Sequence, residues 1–188
     1  MAAEMITGPS ETVLTNDDVA VEDSSFTTGR RGVAATIIVE KIVGSLAESG
    51  GSLEDCKNLG NKVNKNSGSM GVAFSSCIVP AAGKPTFELR SDEMEFGVGI
   101  HGEPGRRRDK IKSAQEITNE LLNAILEDLK PENKDEILLF VNGMGGTPIS
   151  ELYLIYDNAR KMLDNKKIKI ARSLVGNYCT SLEMQGAS

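Results

Sequence analysis

The sequence predicts an α/β fold, a layered mixed sheet with helices on its faces. Three observations lead there. Segments with a helical apolar period alternate with short strand-like runs. Glu136–Val141 is a continuous apolar run, as expected of a central strand covered on both faces. Nineteen glycines in 188 residues, a little above the usual share, gather where one kind of segment gives way to the other.

Taken in order, Met1–Thr7 reads as the tail of a helix, broken by Gly8-Pro9 and too short to stand alone. Glu11–Leu14 can be a short strand and Asn16-Asp17-Asp18 a turn. From Gly32 to Ser49 the apolar positions Val33, Ile37, Ile38, Val39, Ile42, Val43 and Leu46 form a stripe broad enough for a mostly buried helix. Gly50-Gly51 stops it, and Ser52 caps the next helix, which runs to about Lys65 with acids in its first turn. Met70–Val79 and Glu93–Ile100 read as strands. Ser113–Leu129 is an amphipathic helix carrying Ile117, Leu121, Leu122, Ile125 and Leu129 on one side. After the Glu136–Val141 strand, Thr147 as N-cap and Pro148 as first helical residue open a helix to about Leu163. Lys167–Val175 alternates as a more exposed strand would, and Gly186-Ala187-Ser188 has no terminating element.

Composition excludes several functions. The net charge of −6 opposes a nucleic-acid or anionic-membrane surface, and 4% aromatic residues without Trp leave little for base stacking. No apolar run approaches the roughly 18 residues of a membrane span, and Met1–Met5 lacks a signal peptide's basic head and apolar core. A single histidine rules out any site that needs two. Cys56, Cys77 and Cys179 lack CxxC spacing, so zinc-finger and dithiol readings fall away and three thiols in a reducing cytosol remain. Asp17, Asp18, Glu22 and Asp23 could in principle hold a metal, but with Val19, Ala20 and Val21 between them a solvated turn is the better reading, and no metal is expected.

Two loops could carry chemistry. Gly97-Val98-Gly99-Ile100-His101-Gly102-Glu103-Pro104-Gly105 places four glycines around the sole histidine at a strand end, where α/β proteins bind ligands. Glu103 could orient the imidazole; equally, the loop could be a sharp turn whose histidine bonds only backbone. Asn142-Gly143-Met144-Gly145-Gly146 joins a strand to a helix start, so Gly143 and Gly145 are candidates for an anion contact, against the alternative of a tight connection without a ligand. It is neither a Walker loop nor a GxGxxG fingerprint. Arg30 and Arg31 at a helix entrance are a further candidate for an anion or partner, and Arg106-Arg107-Arg108 with Lys110 and Lys112 reads as a solvated basic loop.

Several of these segments together resemble one family. Asn16–Val21, Thr28–Ala34, Val79–Pro85, Glu93–Gly105 and Tyr178–Leu182, in this order along the chain, are similar to the dihydroxyacetone kinase substrate-binding subunit, DhaK. The resemblance implies a DhaK-like second domain at 29–188, incomplete at its C-terminus, preceded at 1–28 by a linker and the tail of an incomplete first domain. It implies that His101 attacks the C2 carbonyl of dihydroxyacetone through Nε2, giving a covalent hemiaminal, with Gly99, Gly102, Glu103 and Gly105 forming the substrate loop. The phosphoryl donor is then supplied by a partner: an ATP domain, or a DhaL subunit carrying ADP and recharged by the phosphotransferase system. The chain itself binds no cofactor. The implied setting is glycerol metabolism in the cytoplasm, as a homodimer, with neither nucleic acid nor membrane as partner. The family's GHEP-type and TGD-type segments, which supply an acid/base aspartate, have no counterpart in the 188 residues, so this glycerone kinase component is expected to be inactive alone. A non-catalytic sensor or coactivator of the same family, and an inactive fragment, are the alternatives.

Overall fold

The structure, a computed structural model, describes residues 8–20, 29–100 and 105–188. The expected helix tail at 1–7 lies outside them. The elements run α1 (Ala35–Glu48), α2 (Leu53–Lys65), β1 (Val72–Ala73), β2 (Glu93–Phe96), β3 (Arg107–Lys110), α3 (Ala114–Leu129), β4 (Glu136–Asn142), α4 (Ile149–Asn165), β5 (Lys169–Gly176) and β6 (Gly186–Ala187). The α/β class therefore stands.

The strands form an antiparallel sheet in the order β3-β2-β1-β6 and a parallel pair, β4-β5. The two are continuous. Asn142 and Ser188 exchange backbone hydrogen bonds of 2.7 and 2.8 Å, and the Met144 N–H donates to the Gly186 carbonyl at 3.1 Å, so the chain just past β4 pairs with β6. Successive residues of β1 point to opposite faces, as a strand requires. Val72 joins Val19, Ala20, Met70, Met94, Phe96, Ile117 and Leu121 under α3. Ala73 joins Cys77, Val98, Met144 and Met184 on the other face. A third cluster, among them Leu139, Val141, Leu152, Leu163 and Ile168, fills the space between α4 and the parallel pair.

Local chemistry explains the helix starts. Ser52 and Ser113 each accept the N3 amide and receive a carboxylate in return, from Asp55 and Glu116, which completes a capping box at both sites. Helix α1 is different. Its first amides are met from a distance: the Asp17 carboxylate accepts from the Val33 N–H at 2.8 Å and the Ala35 N–H at 3.2 Å.

Several expectations are corrected. Helix α1 is half-buried rather than mostly buried, with Ala35 its one buried residue and Ile42 exposed. The reason is its neighbour: it packs as a hairpin on the polar α2, where Gly60 lets Val13 and Val43 close in. Glu11–Leu14 joins no ladder, and of Met70–Val79 only Val72–Ala73 is strand, because the amides of Phe74 and Ser75 already turn to the Gln185 carbonyl. Strand β4 is not covered on both faces, since Glu136 and Leu138 are exposed. The N-cap of α4 is Pro148; the Thr147 hydroxyl instead donates to the Gly186 carbonyl and accepts its N–H, both at 2.8 Å. Gly186–Ala187 is a strand. In the basic run, Arg107–Lys110 forms strand β3 rather than a loop, with its arginines and Lys110 exposed as expected.

Candidate functional site

Strand β2 stops just before Gly97, and the chain returns at Gly105, two residues ahead of β3. The stop is steric. Gly97 has φ +76°, and a Cβ there would lie 2.7 Å from the Ala20 Cβ. Its amide donates to the Gly71 carbonyl at 2.7 Å, and across the hairpin the Arg106 N–H donates to the Phe96 carbonyl at 2.6 Å. At Gly105 a Cβ would meet the Phe96 carbonyl oxygen at 2.1 Å, so only glycine fits where the two arms close. Val98 and Gly99 are buried. His101, Gly102 and Glu103 lie outside the described residues.

The hairpin rests on buried charge. Arg31, 6% exposed, donates from Nε to Asp18 Oδ2 at 2.7 Å, and its Nη2 lies 2.6 Å from the same oxygen. Nη2 also donates to the Gly97 carbonyl at 2.7 Å. Asp18 accepts the Ala20 amide at 2.9 Å through its other oxygen. Burial pushes the Asp18 carboxyl upward, while the Ala20 amide and the Arg31 guanidinium favour its charged form. On the returning arm, the buried Glu95 carboxylate accepts the Gly105 N–H at 3.1 Å and the Arg108 Nε–H at 3.0 Å.

These positions revise the sequence reading. Asp17 and Asp18 are buried ligands of main chain and guanidinium rather than a solvated turn; Glu22 and Asp23 lie outside the described residues. Arg31 is engaged by Asp18 and Gly97, and Arg30 forms a bidentate pair with Asp128 at 2.5 and 3.1 Å, so both have partners within the fold. The Gly143 N–H donates to the Gly176 carbonyl and the Gly146 N–H to the Met184 carbonyl, while a Cβ at Gly145 would lie 1.9 Å from the Leu182 carbonyl oxygen. That loop is a junction of main chains, not an open nest of amides. Within it, buried Asn142 accepts the amides of Tyr178 and Cys179 and donates to the Cys179 carbonyl.

Beyond the loop, the basic run is matched by acids. Arg107 bonds Glu120, Lys110 bonds Asp92, and Lys112 reaches Asp109 at 2.7 Å and Glu120 at 2.6 Å. Arg107 also lies over the Phe96 ring, 4.9 Å from its centroid. The roles of Asp18, Arg31 and Glu95 escape sequence reasoning because each ion pair joins residues 13 apart, a spacing that no local pattern marks. A hint exists in hindsight: charged pairs flank the apolar segments that become core. Among the described residues no three His, Cys, Asp or Glu side chains gather as a metal site, and no helix is long and apolar enough to cross a membrane.

Comparison with known proteins adds the following. The Dak1 domain family matches residues 1–188. The chain is 48% identical over 178 residues to the dihydroxyacetone-binding subunit DhaK of a PTS-dependent dihydroxyacetone kinase of Listeria innocua, covering 95% of this chain and 54% of that protein. Against the PEP-dependent counterpart of Escherichia coli it is 42% identical, covering 94% and 56%, and against human triokinase/FMN cyclase 42% identical, covering 89% and 30%. Among solved structures, the dihydroxyacetone kinase operon co-activator Dha-DhaQ superposes with a TM-score of 0.84 at 34% identity, over 93% of this chain and 54% of that one. The dihydroxyacetone kinase of C. freundii superposes with a TM-score of 0.79 at 29% identity, over 99% and 33%. The chain spans about half the length of the DhaK relatives it matches.

Proposed function

The chain belongs to the Dak1 domain family, and from that membership we propose that it is the substrate-capturing part of a dihydroxyacetone kinase. The observation that carries the reading is the Gly97–Gly105 segment: the sole histidine sits in a loop whose two ends are pinned side by side. The imidazole of His101, in its neutral form, adds to the C2 carbonyl of dihydroxyacetone. A C–N bond forms, the carbonyl π pair moves to oxygen, and the proton lost from nitrogen balances the one the oxygen takes up. A protonated imidazole has no lone pair for this step, so capture weakens as pH falls below the histidine's own pKa. Glycerol lacks a carbonyl, so a covalent site of this kind separates ketone from polyol by chemistry rather than by shape.

The captured molecule keeps a terminal hydroxyl, which takes a phosphoryl group from a donor held by a partner domain or a DhaL-type subunit. The reading carries with it a cytoplasmic location and the pairing of two chains. The chain on its own captures but does not transfer, since its 188 residues include no counterpart of the family's acid/base segments. A second reading is favoured by the 0.84 superposition on the co-activator: binding without turnover, as a sensor. Addition of a DhaL-type partner and its donor separates the two, because only the kinase component then gives dihydroxyacetone phosphate.

Capture is read directly with [2-13C]dihydroxyacetone. The labelled carbon moves from the carbonyl region of the NMR spectrum to that of a saturated carbon bearing two heteroatoms. His101→Ala loses this signal completely while keeping the circular dichroism of the parent. A full signal in His101→Ala would end the reading.

A further inference from the structure

Two buried charged side chains hold the ends of the β2–β3 loop, and the addition of a histidine to a ketone calls for neither of them. On the departing arm the Gly97 carbonyl is met by Arg31, itself fixed by Asp18, which is 2% exposed. On the returning arm the Gly105 N–H is met by Glu95, itself fixed by Arg108. Burying such pairs carries a desolvation penalty that an apolar pair of similar volume avoids, so stability alone does not explain them. What a guanidinium and a carboxylate do, and apolar groups cannot, is fix a carbonyl and an amide in direction as well as in place. Seven residues, Val98 to Pro104, run between the two fixed points, with His101 among them.

We infer that Arg31 and Glu95 are positioning residues, a two-sided clamp that fixes the main chain at Gly97 and Gly105 and thereby sets the rate of capture. This rests on the capture reading above and extends it to residues that touch no substrate. The asymmetry of the clamp is informative. Arg31 is wholly enclosed, whereas Arg108 behind Glu95 is half-exposed, so the departing arm is the stiffer anchor.

The test must separate positioning from loss of fold. Arg31→Met alone strands the Asp18 charge and can unfold the chain, so the working variant is Asp18→Asn with Arg31→Met, which removes both charges together. Glu95→Leu releases the other arm. Arg31→Lys is the conservative partner, since it keeps the charge beside Asp18 but loses the fork by which Nε and Nη2 fix the guanidinium there. Leu163→Ala, in the α4 core, lowers stability without touching the loop. Two measurements are made well below each melting midpoint: hydrogen exchange at the amides of Gly97, Val98, Gly105 and Arg106, and the rate of [2-13C]dihydroxyacetone capture.

The expected result is faster exchange at those amides in the double variant and in Glu95→Leu, with capture slowed by about a hundredfold, the scale of an ångström's misplacement. Arg31→Lys falls between, and Leu163→Ala captures at the parent rate. Unchanged capture in the folded clamp variants, or an equal loss in Leu163→Ala, overturns the inference. Unchanged exchange at the loop ends overturns it independently of any substrate. A parent chain that captures nothing overturns the capture reading and the purpose of the clamp together, even where exchange responds.

Discussion

Two glycine-rich loops leave two strands of this chain, and they are held in opposite ways. After β2, the glycines at 97 and 105 let two arms of a hairpin close, and buried charges fasten the closing points. After β4, the glycines at 143, 145 and 146 let three stretches of main chain touch, and the carbonyls of Gly176, Met184 and Gly186 take up amides of the loop. The first arrangement leaves a segment between its anchors to do something else. The second consumes the loop in building the sheet. Glycine density is the same signal in both; the partners of the flanking polar groups decide which loop can serve a ligand.

The comparison can be tested by substitution, beginning where the effect is largest. Gly145 has φ +120° and no room for a Cβ, so Gly145→Ala combines backbone strain with a main-chain collision and should lower stability by more than about 3 kcal/mol, read from the denaturant midpoint. Whatever fraction stays folded captures dihydroxyacetone as the parent does. A folded Gly145→Ala protein with no capture would erase the distinction between the loops.

Asn142 comes next. Asn142→Ala leaves two amides and a carbonyl of residues 178–179 without their partner, and a loss of about 2–3 kcal/mol is expected in the same assay. Rates of capture in the remaining folded protein stay at the parent value.

The smallest effect sharpens the comparison from outside both loops. The Arg30 guanidinium beside Asp128 holds that carboxyl below its usual value. The stability this pair adds is whole above the ordinary carboxylate pKa and is lost as pH falls through the lowered one, so it fades only in strong acid. Arg30→Met should cost under about 1 kcal/mol at neutral pH and should flatten that part of the melting-temperature profile between neutral and acid conditions. A profile that keeps its acid limb in Arg30→Met would show that the pair contributes nothing measurable.

Much of the architecture was legible. Ser52 and Ser113 announced their helices because a capping box is a local contract between residues three apart. The apolar period of Ile117 and Leu121 placed α3 on the sheet. Strand β3 was not legible, since Arg107–Lys110 has no apolar alternation and pairs only because β2 offers Glu93, Glu95 and the Phe96 ring opposite. The breadth of the α1 stripe misled for a related reason: periodicity gives the face a helix could bury, while the polar sequence of α2 limits the face it does bury. For the site, GIHGEPG was visible at once, but Asp18, Arg31 and Glu95 acquire their roles only from contacts across the fold. A carboxylate's partner 13 residues away leaves no trace in spacing.

The placement of β1 bears on how the molecule assembles. Val72 pairs on one side with Phe96 and on the other with Ala187, so two residues join neighbours 24 and 115 positions away. The first pairing closes a short loop; the second closes nearly two-thirds of the chain and carries the larger entropic delay. The β1–β2–β3 meander can therefore form early, whereas the seam at β6 waits for Gly186 and Ala187 to arrive. Until then one edge of β1 stands open, a template for mispairing during synthesis and refolding.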